Sequence, residues 1–325
     1  MNELLLIIIL FIGIGLLVFG GRYVVNFCSK LSDLTGINEA LIGGSVLALA
    51  ATTPELIITI LGSFQKANKL VVGNIFGTIL VNVCLILGFN LSIIKLLRIN
   101  RKTIDKISIL IFLVLTVSIC WVFNVFNFII GIILIMIFVI YFTLTFLDIK
   151  KDLILKNKLN RKNVLNKNVL TTKDKISDFL KFIIGVLLIF AGAQLIINST
   201  ENLSKLFNVN STIIGLIVVA VGTSLPELIT SIISLKKKRM NLAIGTIIGA
   251  NIVNLSLLLG LSCCLNFNKG LVFNIKEIIL ILPMLALSLS VLAFPILINK
   301  RTYKWQGITL LSLYAIYCII IILIM

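Results

Sequence analysis

Two stretches decide how this chain folds: GGSVLALAATTPELI at Gly43–Ile57 and GLIVVAVGTSLPELI at Gly215–Ile229. Each sets a glutamate, Glu55 or Glu227, directly after a proline in an otherwise uncharged apolar run. A carboxylate at bilayer depth is costly unless a cation or proton compensates it, so both glutamates are candidate functional groups. They stand 172 residues apart, which makes the likeness a question about the whole chain.

At that constant offset, Gly13, Gly20, Asn26, Leu31, Leu34 and Asn38 match Gly185, Gly192, Asn198, Leu203, Leu206 and Asn210. Gly43, Val46, Ala48, Pro54, Glu55 and Leu56 match Gly215, Val218, Ala220, Pro226, Glu227 and Leu228. Gly73, Gly77, Val81, Asn82 and Gly88 match Gly245, Gly249, Val253, Asn254 and Gly260. The chain reads as a tandem duplication, and its G-x-x-x-G pairs Gly73/Gly77 and Gly245/Gly249 suit close helix packing.

Composition places both copies in a membrane. Hydrophobic residues make up 59% of the 325, mean hydropathy is +1.18, and apolar stretches recur from Leu4 to Met325. Each is long enough to cross a hydrocarbon core of about 30 Å as a helix. The expected fold is an all-α polytopic membrane protein with ten transmembrane helices, near 4–27, 38–64, 70–94, 106–124, 127–147, 178–198, 210–235, 241–265, 275–298 and 305–325. Residues 1–149 form the first five-helix repeat, 150–177 a basic Lys/Asn-rich linker, and 178–325 the second repeat. Five spans per copy is an odd number, so the second copy enters the membrane inverted, the arrangement of many secondary transporters.

The net charge of +17 has a topological explanation. Basic residues crowd alternate loops: Lys95 to Lys106, Lys150 to Lys175, Lys236 to Arg239, and Lys300 to Lys304. The positive-inside rule makes those loops, and with them the linker, cytoplasmic, and leaves both termini outside a multi-pass cell-membrane protein. A nucleic-acid partner is not needed to account for the charge. The N-terminal apolar run lacks a basic n-region and a small-residue cleavage site, so it reads as a retained first helix. The six cysteines show no metal-ligand spacing and read as packing residues; with no histidine in the chain, His-based triads and zinc-protease motifs are excluded.

The residues around the glutamates supply oxygen and little else. Two of only four prolines, Pro54 and Pro226, fall mid-span. Each removes a helical hydrogen bond to the carbonyl four residues back, Ala50 or Gly222, so the backbone there should kink or unwind. Broken backbone at membrane depth is tolerated where it lines a cavity or is satisfied by protein. Thr52 and Thr59 lie three and four residues from Glu55, as Ser224 and Ser231 do from Glu227. In the next span Asn74, Thr78 and Asn82 share a helical face, and Thr246, Ala250 and Asn254 are their counterparts. Carbonyls, hydroxyls and carboxylates are hard ligands suited to Ca²⁺ and Na⁺.

These motifs resemble the Ca²⁺/cation antiporter superfamily, most closely its prokaryotic Na⁺/Ca²⁺ exchanger branch, with G-T-S-L-P-E at Gly222–Glu227 as the specific match. The resemblance spans essentially the whole chain. It implies alternating access to one central cluster, in which Glu55 and Glu227 hold Ca²⁺ with the backbone carbonyls of Ala51 and Thr223. It also implies that Na⁺ uses the same glutamates with Ala48, Thr52 and Thr78 in one half, and Ala220, Thr223 and Ser224 in the other. Asn82 and Asn254 would complete the middle. The transported ions Ca²⁺ and Na⁺ are then substrates, and no cofactor, enzyme activity or obligate protein partner is expected. Three positions depart from the family pattern: A-A-T-T-P-E replaces G-T-S-L-P-E in the first copy, Ala250 stands where Ser is frequent, and Asn254 where Asp is common.

Two carboxylates can neutralise one Ca²⁺, or about two to three Na⁺, or two protons, so competition for the same ligands couples the fluxes. H⁺/Ca²⁺ exchange is the alternative within this class. A channel ordinarily draws its ring of charge from symmetric subunits, and an intramembrane enzyme would need a nucleophile with an oriented base, which nothing here resembles.

Overall fold

A computed structural model describes residues 3–35, 48–94, 96–159, 172–207, 211–236, 240–266, 271 and 275–324. Among them are nine helices long and apolar enough to cross a membrane, plus the shorter apolar helix Thr53–Phe64. That shorter helix is the second half of the span expected at 38–64, whose residues 38–47 lie outside the described set. The helices Phe128–Leu159 and Thr172–Phe207 run well into the stretch read as a linker at 150–177, leaving only 160–171 outside the description.

Helix follows from sequence here because the apolar runs leave every backbone polar group to be satisfied within its own segment. The two spans Asn68–Ile93 and Ala243–Leu265 are enclosed by the rest, with 94% and 83% of their apolar windows buried. Phe128–Lys151, at 22%, lies at the periphery and turns Ile129, Met136, Ile140 and Leu144 outward, the pattern of a lipid-facing helix.

The first helices of the two copies, Glu3–Thr35 and Thr172–Phe207, cross through glycines. A Cβ on Gly20 would stand 2.5 Å from the carbonyl oxygen of Gly185, and one on Gly192 2.6 Å from that of Gly13. Gly13 and Gly185 are repeat counterparts, as are Gly20 and Gly192, so each glycine meets the other's counterpart and the helices run antiparallel. Such reciprocal contact is what a pseudo-two-fold axis between inverted copies produces. A second reciprocity joins the third span of each copy to the fifth span of the other: Gly88 faces Gly307, and Gly260 faces Gly131. Gly260 is 172 positions beyond Gly88, but Gly307 is 176 beyond Gly131, so the gapless register ends before the last span.

One element departs from an all-α reading. Leu96–Arg98 and Arg301–Tyr303 pair as a short antiparallel ribbon, with Leu97 opposite Thr302. Pro295, inside the helix Ile275–Asn299, cannot donate to Val291, and Gln306 Nε2 fills that place with a 2.8 Å bond to the Val291 carbonyl. The Gln306 carbonyl oxygen in turn accepts the Tyr303 amide, so one side chain repairs the proline and seats the ribbon.

Candidate cation-binding site

Each expected break is a tight kink at a single residue rather than an unwound loop. Thr52 (φ −80°, ψ 8°) separates Ala48–Ala51 from Thr53–Phe64, and Ser224 (φ −79°, ψ 0°) separates Ala220–Thr223 from Leu225–Lys236. Both sit in the sparsely allowed bridge region. Thr52 N still donates to Ala48 O at 3.0 Å and Leu56 N to Thr52 O at 2.9 Å; Ser224 N and Leu228 N repeat the pattern at 3.1 and 3.0 Å. Pro54 and Pro226 thereby fall in the first turn of a new half-helix, where a missing N–H costs nothing.

These half-helices converge with the two enclosed spans in a symmetric quartet. The Glu227 half-helix packs on the turn Val81–Leu87, which carries Asn82, and the Glu55 half-helix packs on Asn254–Leu258. Both turns are π-helical, the wide-turn variant often found at functional sites. Ala220–Thr223 lies along Asn68–Leu80, and Ala48–Ala51 along Met240–Val253. Gly73 and Gly77 admit the segment that leads into Ala220–Thr223: a Cβ there would stand 2.3 Å from Thr212 O and 2.5 Å from Leu216 O, and on Gly77 also 2.7 Å from Ala220 Cβ.

Glu55 and Glu227 are 0% and 1% exposed and lie near one another. All four of their carboxylate oxygens lack a hydrogen-bond partner among the described residues. Buried polar atoms in proteins are normally paired, and each exception calls for a ligand or ion to explain it. No group of three or more His, Cys, Asp or Glu occurs among the described residues, so the acidity of the centre is that of these two side chains.

The hydroxyls near the carboxylates spend their protons elsewhere. Thr52 donates to Ala48 O at 3.1 Å, and Ser224 to Ala220 O at 2.8 Å. Thr223 gives its proton to Asn74 Oδ1 or Ala220 O, both at 3.2 Å, and lies 3.4 Å from Thr78 Oγ1. Back-bonding of this kind settles a hydroxyl on its own helix and leaves its lone pairs available. The carbonyls of Ala48 and Ala220 already accept these donors. Ala51 and Ala250 are fully buried nearby.

Asn82 and Asn254 are likewise buried, but differ in company. Asn82 Nδ2 donates to Asn251 Oδ1 at 2.9 Å, leaving Asn82 Oδ1 unpaired; both ends of the Asn254 amide are unpaired among the described residues. Asn251 is not legible from the repeat as a site residue, because its counterpart is Ile79. A buried amide in an otherwise apolar G-A-N-I-V run was the available signal.

Fold and site together define a polytopic helical membrane protein whose two related halves meet at a pair of buried carboxylates. The profile described as sodium/calcium exchanger protein matches residues 5–147 and 177–323, and the chain belongs to this family. It is 28% identical to the sodium/calcium exchanger MaX1 of Methanosarcina acetivorans over 97% of both chains. It is 25% identical to the uncharacterized membrane protein MJ0091 of Methanocaldococcus jannaschii over 94% of each. The solved structure of the sodium-calcium exchanger NCX_Mj covers 97% of this chain and 98% of its own at a TM-score of 0.67; at 22% identity the likeness speaks for the fold.

Proposed function

We propose that the protein is a secondary antiporter exchanging Ca²⁺ for Na⁺ by alternating access at the Glu55/Glu227 centre. The observation that carries this reading is the pair of fully buried carboxylates, one from each half, whose four oxygens have no protein partner among the described residues. Their charge is matched by one Ca²⁺, held by the two glutamates with the carbonyls of Ala51 and Thr223. Na⁺ would take the same carboxylates with Ala48, Thr52 and Thr78 on one side and Ala220, Thr223 and Ser224 on the other, with Asn82 and Asn254 between them. A doubly negative empty centre is the form least able to cross a low-dielectric barrier, so each ion leaves only as another arrives. The ions are substrates, no bond is made or broken, and no resident cofactor is needed. With the basic loops cytoplasmic, both termini lie outside.

Proton coupling is the second reading, and Ala250 favours it, since the second half has no hydroxyl where the first has Thr78. The deciding measurement is ⁴⁵Ca²⁺ uptake into proteoliposomes driven separately by outward Na⁺ and outward H⁺ gradients. Uptake driven by Na⁺ at clamped pH supports Na⁺/Ca²⁺ exchange. Uptake driven by H⁺ alone assigns the coupling to protons, and efflux into an impermeant cation-free buffer at the same rate rules out exchange altogether.

A further inference from the structure

Asn82 and Asn254 are repeat counterparts, yet only one of them is held. Asn251, itself 0% exposed, accepts the Asn82 amide protons at 2.9 Å. A side-chain amide has a donor end and an acceptor end, and fixing one end fixes the other. With its NH₂ committed to Asn251, Asn82 carries its Oδ1 on the opposite edge, unpaired, in the wide turn that packs on the Glu227 half-helix. The reverse arrangement would aim two N–H groups at that side, which suits an anion and repels a cation. Nothing holds Asn254 in this way: the position equivalent to Asn251 in the first copy is Ile79, and both ends of the Asn254 amide lack partners among the described residues.

We infer that Asn251 is a positioning residue, acting through Asn82 to keep the Asn82 carbonyl oxygen turned toward the cation, so that the centre has one locked and one free amide ligand. The inference rests on the cation-exchange reading above. Asn251 need not touch the ion: it stands one residue beyond Ala250, about 100° further round the helix, where its carbonyl is spent on Asn82. The locked oxygen serves any cation in the same place, whereas Asn254 is free to rotate with the ion present.

The test is a double-mutant cycle on the full chain. Asn82→Ala, Asn251→Leu and the double variant are reconstituted, and ⁴⁵Ca²⁺/Ca²⁺ self-exchange, which needs no other coupling ion, gives the half-saturating Ca²⁺ concentration and the maximal rate. Ca²⁺-induced thermal shifts in detergent give binding apart from transport. Losing a hydrogen bond of ordinary strength corresponds to about a fivefold to tenfold rise in half-saturation. That rise is expected for Asn251→Leu with the maximal rate within about twofold of the parent, and in the Asn82→Ala background Asn251→Leu should add less than about twofold. Asn251→Gln, which keeps an uncharged amide acceptor, should recover part of the affinity lost in Asn251→Leu, and no recovery counts against the positioning role. Equal effects of Asn251→Leu in both backgrounds would mean that it acts independently of Asn82 and would overturn the inference; so would the absence of any effect of either single variant, or loss of maximal rate alone. If Asn251→Leu does not fold, Asn251→Ser takes its place in the cycle under the same criteria. A parent protein that binds cations but shows no Ca²⁺ self-exchange would sink the exchange reading, and the thermal-shift cycle repeated with Na⁺ would still decide for or against Asn251.

Discussion

The two copies share a kink and a glutamate and differ in the polar side chains around them. Around the kinks the likeness is close: Thr52 and Ser224 share backbone angles to within 8°, and their hydroxyls bond back to Ala48 and Ala220 alike. In the enclosed spans, Thr78-Ile79 of the first copy becomes Ala250-Asn251 of the second, so the polar group moves one residue along and about a quarter-turn around the helix. Backbone, carboxylates and kink hydroxyls are thus shared by both halves, whereas the oxygens of the enclosed spans are shared only in part. On the exchange reading proposed above, the duplication would set where a cation sits and the divergence which cation prefers which half.

The shared part is broken most severely at its charges. Glu55→Gln or Glu227→Gln leaves one carboxylate against a divalent ion, and loss of one member of a buried charge set costs about 3–5 kcal/mol, or a factor of about 10²–10⁴. Ca²⁺ exchange in proteoliposomes should fall by at least that factor for both variants. Near-normal exchange in either one would show that the two halves do not contribute equally.

The kinks are tested through the helix that rides over them. Gly21 on the first helix meets both prolines: a Cβ there would stand 2.8 Å from Pro226 Cγ and 3.6 Å from Pro54 Cγ. Gly21→Leu overfills a contact shared by the two breaks, at a cost of about 1–3 kcal/mol. Exchange is expected to drop about tenfold with a lowered melting temperature, and Gly21→Ala should fall between the two. A Gly21→Leu protein as active and stable as the parent would show that the prolines have room to give.

The divergent part is sharpened by restoring symmetry. Ala250→Thr returns the hydroxyl that Thr78 provides in the first copy. If Na⁺ uses that position, the Na⁺ concentration giving half-maximal Ca²⁺ efflux should fall about fivefold, the scale of one hydrogen-bond-strength ligand contact, with half-saturation by Ca²⁺ unchanged. A change in Ca²⁺ alone would assign the position to the other ion.

What could be read from the sequence followed the repeat, and what could not departed from it. Gly43–Ile57 and Gly215–Ile229 disclosed the membrane class, the glutamates and the proline kinks, because a charge and a proline in an apolar run have few physical explanations. The kinks fall two residues before each proline rather than at it, since a proline is best placed in a first turn. Asn251, the Asn74–Thr223 contact across the copies, and the π-turns at Asn82 and Asn254 were not legible. Each depends on which helix faces which, and a search guided by symmetry passes over a residue whose counterpart is isoleucine. The ribbon at Leu96–Arg98 escaped for a related reason: its partner strand lies about 200 positions away and neither strand is long enough to show alternation.

The same contrast between halves reappears one turn from each glutamate, where its consequence is smallest. Asn90 Nδ2 donates to Ser231 Oγ, joining the third span of the first copy to the Glu227 half-helix. The repeat counterparts are Ser262 and Thr59, on helices that also pack together, and both hydroxyls lack a partner among the described residues. Removing a made bond strands the surviving partner, whereas removing an unpaired buried hydroxyl strands nothing. Asn90→Ala should therefore destabilise by about 1–2 kcal/mol, and Ser231→Ala in the Asn90→Ala background should add little. Thr59→Val, which conserves volume, should leave the melting temperature unchanged or raise it slightly. Thermal unfolding of the three variants in one detergent is the check. A larger loss from Thr59→Val than from Asn90→Ala would mean that Thr59 and Ser262 bond in the state populated in solution, and that the contrast between the two halves there runs the other way.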